Sequence, residues 1–354
     1  VTSTTTTSRQ IQFGIKVIWQ ENIMKIRPLF FFVAIVLRVS APAQLKLLQC
    51  VHVPGSPDGH LDHFAVDLTH RRLFATPERG KVLDVFDVDS GKHLQAVEGI
   101  DELHAVFYRN DLNRIFVTDG ENGSLRIIDG GTYSILSTVT LRKDADSAAY
   151  DPATHYLYID NGGKDAKENY TMISIVNTDT DAVVDEIRVE SNSLEAIALE
   201  TNSPRMYVNS RGTNEVKVFD RKTRQLVANW PIALGKTNVP LALDEANHHL
   251  FVGCRDGKMS VLGTLSGKEL QALPITKGVD DMVFDAASKR IYIAADGAAD
   301  VYEERDPGHY RLLSNVPTAP GAKTARLVPE LKRYFVAAPK NGAEVVQILV
   351  FEVE

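Results

Sequence analysis

Two histidines, His63 and His104, stand near the starts of apolar segments beside acidic residues, Asp62 and Glu102. When similar segments further along are aligned, the same register holds Asp146 and Ser147, Glu195, Asn238, Asp280 and Asp281, and Lys323 and Thr324. Imidazole and carboxylate are the side chains that hold divalent metals. Histidine favours zinc or a transition metal, and carboxylates also accept calcium or magnesium. Brought to one place, His63, His104, Asp146, Glu195 and Asp280 would form a site for one divalent ion. The same ring would serve equally as a solvated polar funnel whose acids pair with Lys323. The run His60-Leu61-Asp62-His63 invites a local metal reading too. In a regular strand, however, His60 and Asp62 share a side and His63 points away, so a loop (54–59) capped by polar residues explains it.

The elements that would have to position these residues are repeats. An apolar segment, a short polar turn and a second apolar segment centred on an aromatic recur seven times, and the aromatics are Phe74, Phe116, Tyr158, Tyr207, Phe251, Tyr292 and Phe335. A period of 40 to 50 residues marks a repeat architecture. Each unit adds two more β-branched runs punctuated by Asp, Gly, Ser, Thr and Asn, as in KVLDVFDVDSGKHLQAV, so it reads as four antiparallel strands. The expected fold is all-β, a seven-bladed β-propeller. The seventh unit runs out at 345–354 without a fourth strand, while 45–54 supplies a spare one, so the N-terminal strand is expected to close the last blade.

The starts of the first strands and the loops between second and third strands fall on one face, because successive connections alternate ends. That face is the expected ligand-binding surface. The longer loop Asn161 to Tyr170 lies on it, either as a lid or as a surface insertion. His155, His248 and His249 fall in turns on the opposite face, where exposure is expected. Asp67, Asp151, Asp244 and Asp285 precede those turns at one repeat position and are expected to be turn formers.

The N-terminal region reads as targeting sequence. Lys25 and Arg27 after Met24, the apolar run LFFFVAIVL (29–37) and Ala41-Pro42-Ala43 match a secretory signal peptide over 24–43, with 1–23 an upstream leader expected to be absent from the mature protein. Nine apolar residues are too few to span a bilayer, which takes roughly 20, so no integral anchor is expected after cleavage. The expected address is extracytoplasmic: periplasm, cell surface or secreted. Setting residues 1–43 aside removes five basic and one acidic side chain from totals of 39 and 46, leaving 34 and 45 and a net charge of −11. Such a balance repels phosphate backbones, and nucleic acid is not an expected partner. Cys50 and Cys254 fall in different repeats and are expected to be unpaired.

The fourth unit, Tyr207-Val208-Asn209-Ser210 followed by Asn214, Val216, Val218, Phe219 and Asp220, resembles the YVTN-repeat propellers, the YncE-like or surface-layer-type proteins of bacteria and archaea. Phe116-Val117-Thr118-Asp119 and Phe251-Val252-Gly253-Cys254 match more loosely, and the resemblance covers 45–354. It implies an exported binding or cell-surface protein and points to no reaction. No G-x-S-x-G, P-loop, H-E-x-x-H, C-x-x-C-H or dinucleotide fingerprint occurs. The expectation is therefore a monomeric, non-catalytic module that binds a small molecule or a protein at the channel mouth. The alternatives are a metal-assisted hydrolase or lyase acting on a lactone or sugar derivative there, and a cell-surface scaffold.

Overall fold

A computed structural model of the chain describes residues 45–354 apart from 55, 57–59 and 342–344. The leader, the signal peptide and most of the loop at 54–59 lie outside the described residues. Seven four-stranded antiparallel sheets follow one another, with one short 3-10 turn, Pro329–Leu331, among the described residues. Blades 1 to 6 span 61–98, 103–140, 148–189, 194–231, 238–274 and 281–317. Blade 7 takes three strands from 325–353, and strand Leu45–His52 pairs antiparallel with strand Gln347–Val353 as its outermost member. The expected closure by the N-terminal strand is thus what the fold shows.

The alternating pattern explains how the blades stack. A propeller blade is covered on both faces, so its inner strands should be apolar on both sides. The second strands Arg72–Pro77, Arg205–Ser210 and Arg290–Ala295 are almost wholly buried, and the seven repeat aromatics are all at most 2% exposed. Each aromatic packs between neighbouring sheets. Phe74, for example, shares a cluster with Leu103, Tyr108, Ile115 and Val117 of blade 2. The ring closes in the same way, with Val51, Ile348 and Phe335 of blade 7 packed on Phe64, Leu73 and Phe86 of blade 1. Outer strands are mostly exposed and bury residues only towards their far ends, Val139 in one and Ile187 and Val189 at alternate positions in another, as strands covered on one side do.

The expected turn formers do that work: Asp67, Asp151, Asp244 and Asp285 each accept a backbone N–H two or three residues on, at 3.0 to 3.2 Å. Six of the seven first hairpins then hold a non-glycine residue at positive φ, Arg71, Asn113, His155, His248, Lys289 and Lys332, at 48 to 57°. Cys50 and Cys254 are free, one on the exposed outer strand of blade 7 and one buried in blade 5.

Candidate functional site

A backbone irregularity repeated around the ring builds the site. In blades 1, 2, 4 and 5 the pairing of first and second strands slips, so two residues of the first strand oppose one of the second. Bonds from Asp146 N to Asp160 O (3.1 Å) and Asp280 N to Ala294 O (3.2 Å) mark the same point in blades 3 and 6. A bulge breaks the strict alternation of a strand and re-aims side chains. The first bulged residues are Asp62, His104, Asp146, Glu195, Val239, Asp280 and Lys323, and all seven line one cavity of about 250 Å³ at the channel mouth. His63, Ser147 and Asp281, each the next residue along, line it too. His63 therefore does not point away from Asp62, as regular alternation would require. Thr76 stabilises this bulge: its Oγ1 accepts from His63 N (2.8 Å) and donates to His63 O (3.0 Å).

Three of the residues expected at the mouth do not line the cavity. Asn238 is fully buried and donates to Asn209 Oδ1 (2.7 Å) and Glu215 O (3.0 Å). It pairs with Cys254 as Leu61 pairs with Pro77, one residue before the bulge, so sequence alignment misplaced this blade by one position. Thr324 is buried, and its Oγ1 donates to Leu61 O (3.0 Å), tying blade 7 to blade 1. Glu102 lies behind His104, and a Cβ on Gly120 would stand 3.1 Å from its Oε2 and 2.8 Å from His104 Nε2.

The cavity also takes side chains that repeat alignment had not singled out: Glu78, Asp144, Asp160, Lys164, Asp165, Arg211 and Arg255. A signal for several of them was present. Glu78, Arg211 and Arg255 all fall four residues after their repeat aromatics, at the mouth end of the second strand. Asp160, two after Tyr158, stands where the other blades have Thr, Thr, Asn, Gly, Ala and Ala. The longer loop contributes Lys164 and Asp165, held by Lys164 N to Asn192 O (2.9 Å) and an Arg142–Glu168 ion pair (2.8 Å). Its Gly162 and Gly163 sit at φ +93 and +86°, and a Cβ on Gly163 would come 2.6 Å from Asn192 O.

Charge is distributed unevenly in the cavity. His104 Nδ1 lies 2.8 Å from Asp62 Oδ2 and 3.7 Å from Asp146 Oδ1, while His63 lies 3.6 Å from Asp62 and 3.7 Å from Asp281. Burial disfavours both imidazolium ions. The surrounding carboxylates override it, Asp62, Asp281 and Asp146 at His63 and Asp62, Asp146 and Glu102 at His104, lifting each to about 10. Burial likewise pushes Asp62 up, but His63, His104 and Lys323 outweigh it and hold it at about 2. Asp280 is gripped by Lys323 (2.8 Å) and Arg255, and Glu195 by Arg211 (2.9 Å).

The blade 3 side has too few cations. Burial and then Asp146 raise Asp144 to about 6, and burial raises Glu195 to about 7 despite Arg211. Asp160, only 4% exposed beneath Asp146, is pushed well above the carboxylate range by burial and then by Asp146, Glu195 and Asp144, and its Oδ1 has no hydrogen-bond partner. Donor atoms of Asp62, His63 and Asp146 all fall within 4.8 Å of one another, so a metal could be held there. Of the residues expected to ligate one, Glu195 and Asp280 are instead each committed to an arginine or lysine.

No family model and no curated protein matches the chain. Among solved structures it is similar to a chain of the crystal structure of the mitotic checkpoint complex, with a TM-score of 0.71 and 14% identity over 98% of this chain and 99% of that one. At that identity the likeness shows the fold alone: a seven-bladed propeller, an architecture that serves widely as an interaction scaffold.

Proposed function

We propose that this protein is a non-catalytic binding propeller, exported by its N-terminal signal, that captures a small cationic ligand at the channel mouth. One observation carries this reading. Nine carboxyl groups line the cavity against two lysines, two arginines and two histidines; with both histidines charged the formal balance is −3, and it stays negative, at −1, with protons left on Asp160 and Glu195, whose values burial raises. An acid-rich cleft with low-dielectric walls concentrates cations. A volume of about 250 Å³ lies below the roughly 300–1,000 Å³ of pockets for drug-sized ligands and suits a hydrated metal ion or a small amine. The export reading rests on residues 24–43, and kinship with YVTN-repeat proteins rests on the fourth repeat.

The test is calorimetric titration of chelator-treated protein with Ca²⁺, Mn²⁺, Zn²⁺ and putrescine, beside an Asp146→Asn/Glu195→Gln variant. Binding of one of these probes, weakened at least tenfold in the variant, is the expected outcome. No heat and no thermal shift with any probe at millimolar concentration overturns the reading.

A second reading, a metal-assisted hydrolase or lyase, is favoured by the clustering of Asp62, His63 and Asp146 donor atoms. A metal held there would lower the pKa of a bound water, and its positive charge would displace the proton that Asp62, Asp146 and Glu102 hold on His104, leaving that imidazole, hydrogen-bonded to Asp62, beside it as the base. Lactone or ester turnover by metal-loaded protein that vanishes in His63→Ala and His104→Ala would establish it.

A further inference from the structure

On the face away from the channel mouth, where blades 5 and 6 meet, Asp244, His249 and Glu304 place one donor atom each within 4.8 Å of the others. All three are buried, at 2, 9 and 2% exposure, so His249 is not the exposed turn residue that its position suggested. His248, one position earlier, takes the turn at φ 57°, and His249 opens the second strand, His249–Cys254, facing inward.

Comparison with the other blades shows what is missing. At the register of His249 the other blades carry Arg72, Arg114, Tyr156, Arg205, Arg290 and Arg333. In blade 1, Asp67, the counterpart of Asp244, is neutralised by Arg72 at 2.6 and 2.9 Å. In blade 3, Asp151 is neutralised by Arg221 at 2.6 Å. Blade 5 puts an imidazole where blade 1 has its guanidinium, and blade 6 adds a second buried carboxylate, Glu304. Among the described residues no lysine or arginine pairs with Asp244 or Glu304, and His249 Nδ1 is 3.8 Å from Glu304 Oε1. The remaining contacts are to neutral groups: Asn247 to both carboxylates (2.7 and 3.2 Å), and Tyr310 OH to Glu304 (3.2 Å) and His249 Nδ1 (2.9 Å).

We propose that Asp244, His249 and Glu304 form a buried structural site for a divalent transition-metal ion, zinc by its ligand set, pinning blade 5 to blade 6. Two carboxylates and a neutral imidazole neutralise a divalent ion, which stands in for the arginine that neutralises Asp67 in blade 1 and Asp151 in blade 3. Zinc holds nitrogen and oxygen ligands at about 2.0–2.2 Å, hence about 3.4 Å apart in a tetrahedron. The 3.8 Å separation of His249 and Glu304 therefore needs to close by only a few tenths of an ångström. Tyr310 OH, bonded to Glu304 and to His249 Nδ1 in the metal-free arrangement, gives up its bond to Nδ1 when that nitrogen binds the ion and is placed to take the fourth position with its oxygen.

The site is independent of the channel mouth, so the test uses an Asp62→Asn/His63→Ala background that removes the mouth cluster. Zn²⁺ and Co²⁺ are titrated into this chelator-treated protein by calorimetry and by cobalt absorption. One equivalent is expected, with visible bands of four- or five-coordinate cobalt, and the further change His249→Gln should weaken it at least a hundredfold. Glu304→Gln, a near-isosteric change, serves where His249→Gln does not fold. Wild-type affinity in both variants, or no cobalt spectrum in the background protein, overturns the site. Loss of all metal on removing the mouth residues overturns it too, and leaves the mouth reading standing.

Discussion

Asp160→Asn should stabilise the metal-free protein at neutral pH, although it removes an ionisable residue from a candidate site. The carboxyl is 4% exposed, its Oδ1 has no partner, and Asp144, Asp146 and Glu195 surround it with like charge. Its folded-state pKa is raised, so its stabilising contribution is full below the unfolded value of about 3.9 and is lost as pH rises towards the folded value. Keeping the proton on at pH 7 costs at most about 1.36 × (7 − 3.9), or about 4 kcal/mol. Asparagine avoids that cost and offers N–H donors to Asp146 and Glu195. Relaxation and water entry reduce the gain, and about 2 kcal/mol is the working figure. With an unfolding entropy of about 2.1 cal/mol/K per residue over about 300 folded residues, 2 kcal/mol raises Tm by about 3 °C. Differential scanning calorimetry in chelator at pH 4 and pH 7 should show a rise at pH 7 that shrinks towards zero at pH 4. A variant less stable than wild type by the same amount at both pH values would refute the reasoning, since the carboxyl would then act through packing and not through charge.

Other consequences are open to direct measurement. In metal-free protein the ring protons of His63 and His104, lifted to about 10, should show no titration by NMR between pH 6 and 8; titration of both near 6.5 would remove the ion cluster. Because these values are raised, the cluster's stabilisation is full below about pH 6.5 and should fade as pH climbs from there to 10, visible as a falling Tm. Arg72→Met leaves Asp67 buried without its partner and should cost about 3–5 kcal/mol by urea denaturation; a loss under about 1 kcal/mol would mean that His70 and the turn N–H groups suffice. Deleting strand Leu45–His52 exposes the edge of Gln347–Val353 and should drive aggregation, seen as a shift to the void volume on size exclusion; unchanged elution with unchanged Tm would show that this closure is dispensable.

Repeat spacing, turn chemistry and the seven aromatics were local signals, and together with the spare N-terminal strand they determined a propeller of seven blades and the way its ring closes. They also gave the face on which His63, His104, Asp62, Asp146 and Lys323 gather, because strand ends alternate strictly in an up-and-down blade. Tertiary structure decided the rest. The bulge at the mouth, invisible in an alternating pattern, turned His63 in beside Asp62 and left Asn238 one residue short of the cavity. Asp160 looked like one more polar strand residue. Only its burial in the folded ring, and then the packing of Asp146, Glu195 and Asp144 around it, made its charge costly, because electrostatic cost depends on burial and on neighbours distant in sequence. His249 and Glu304, 55 positions apart and in different blades, meet only because neighbouring blades stack face to face.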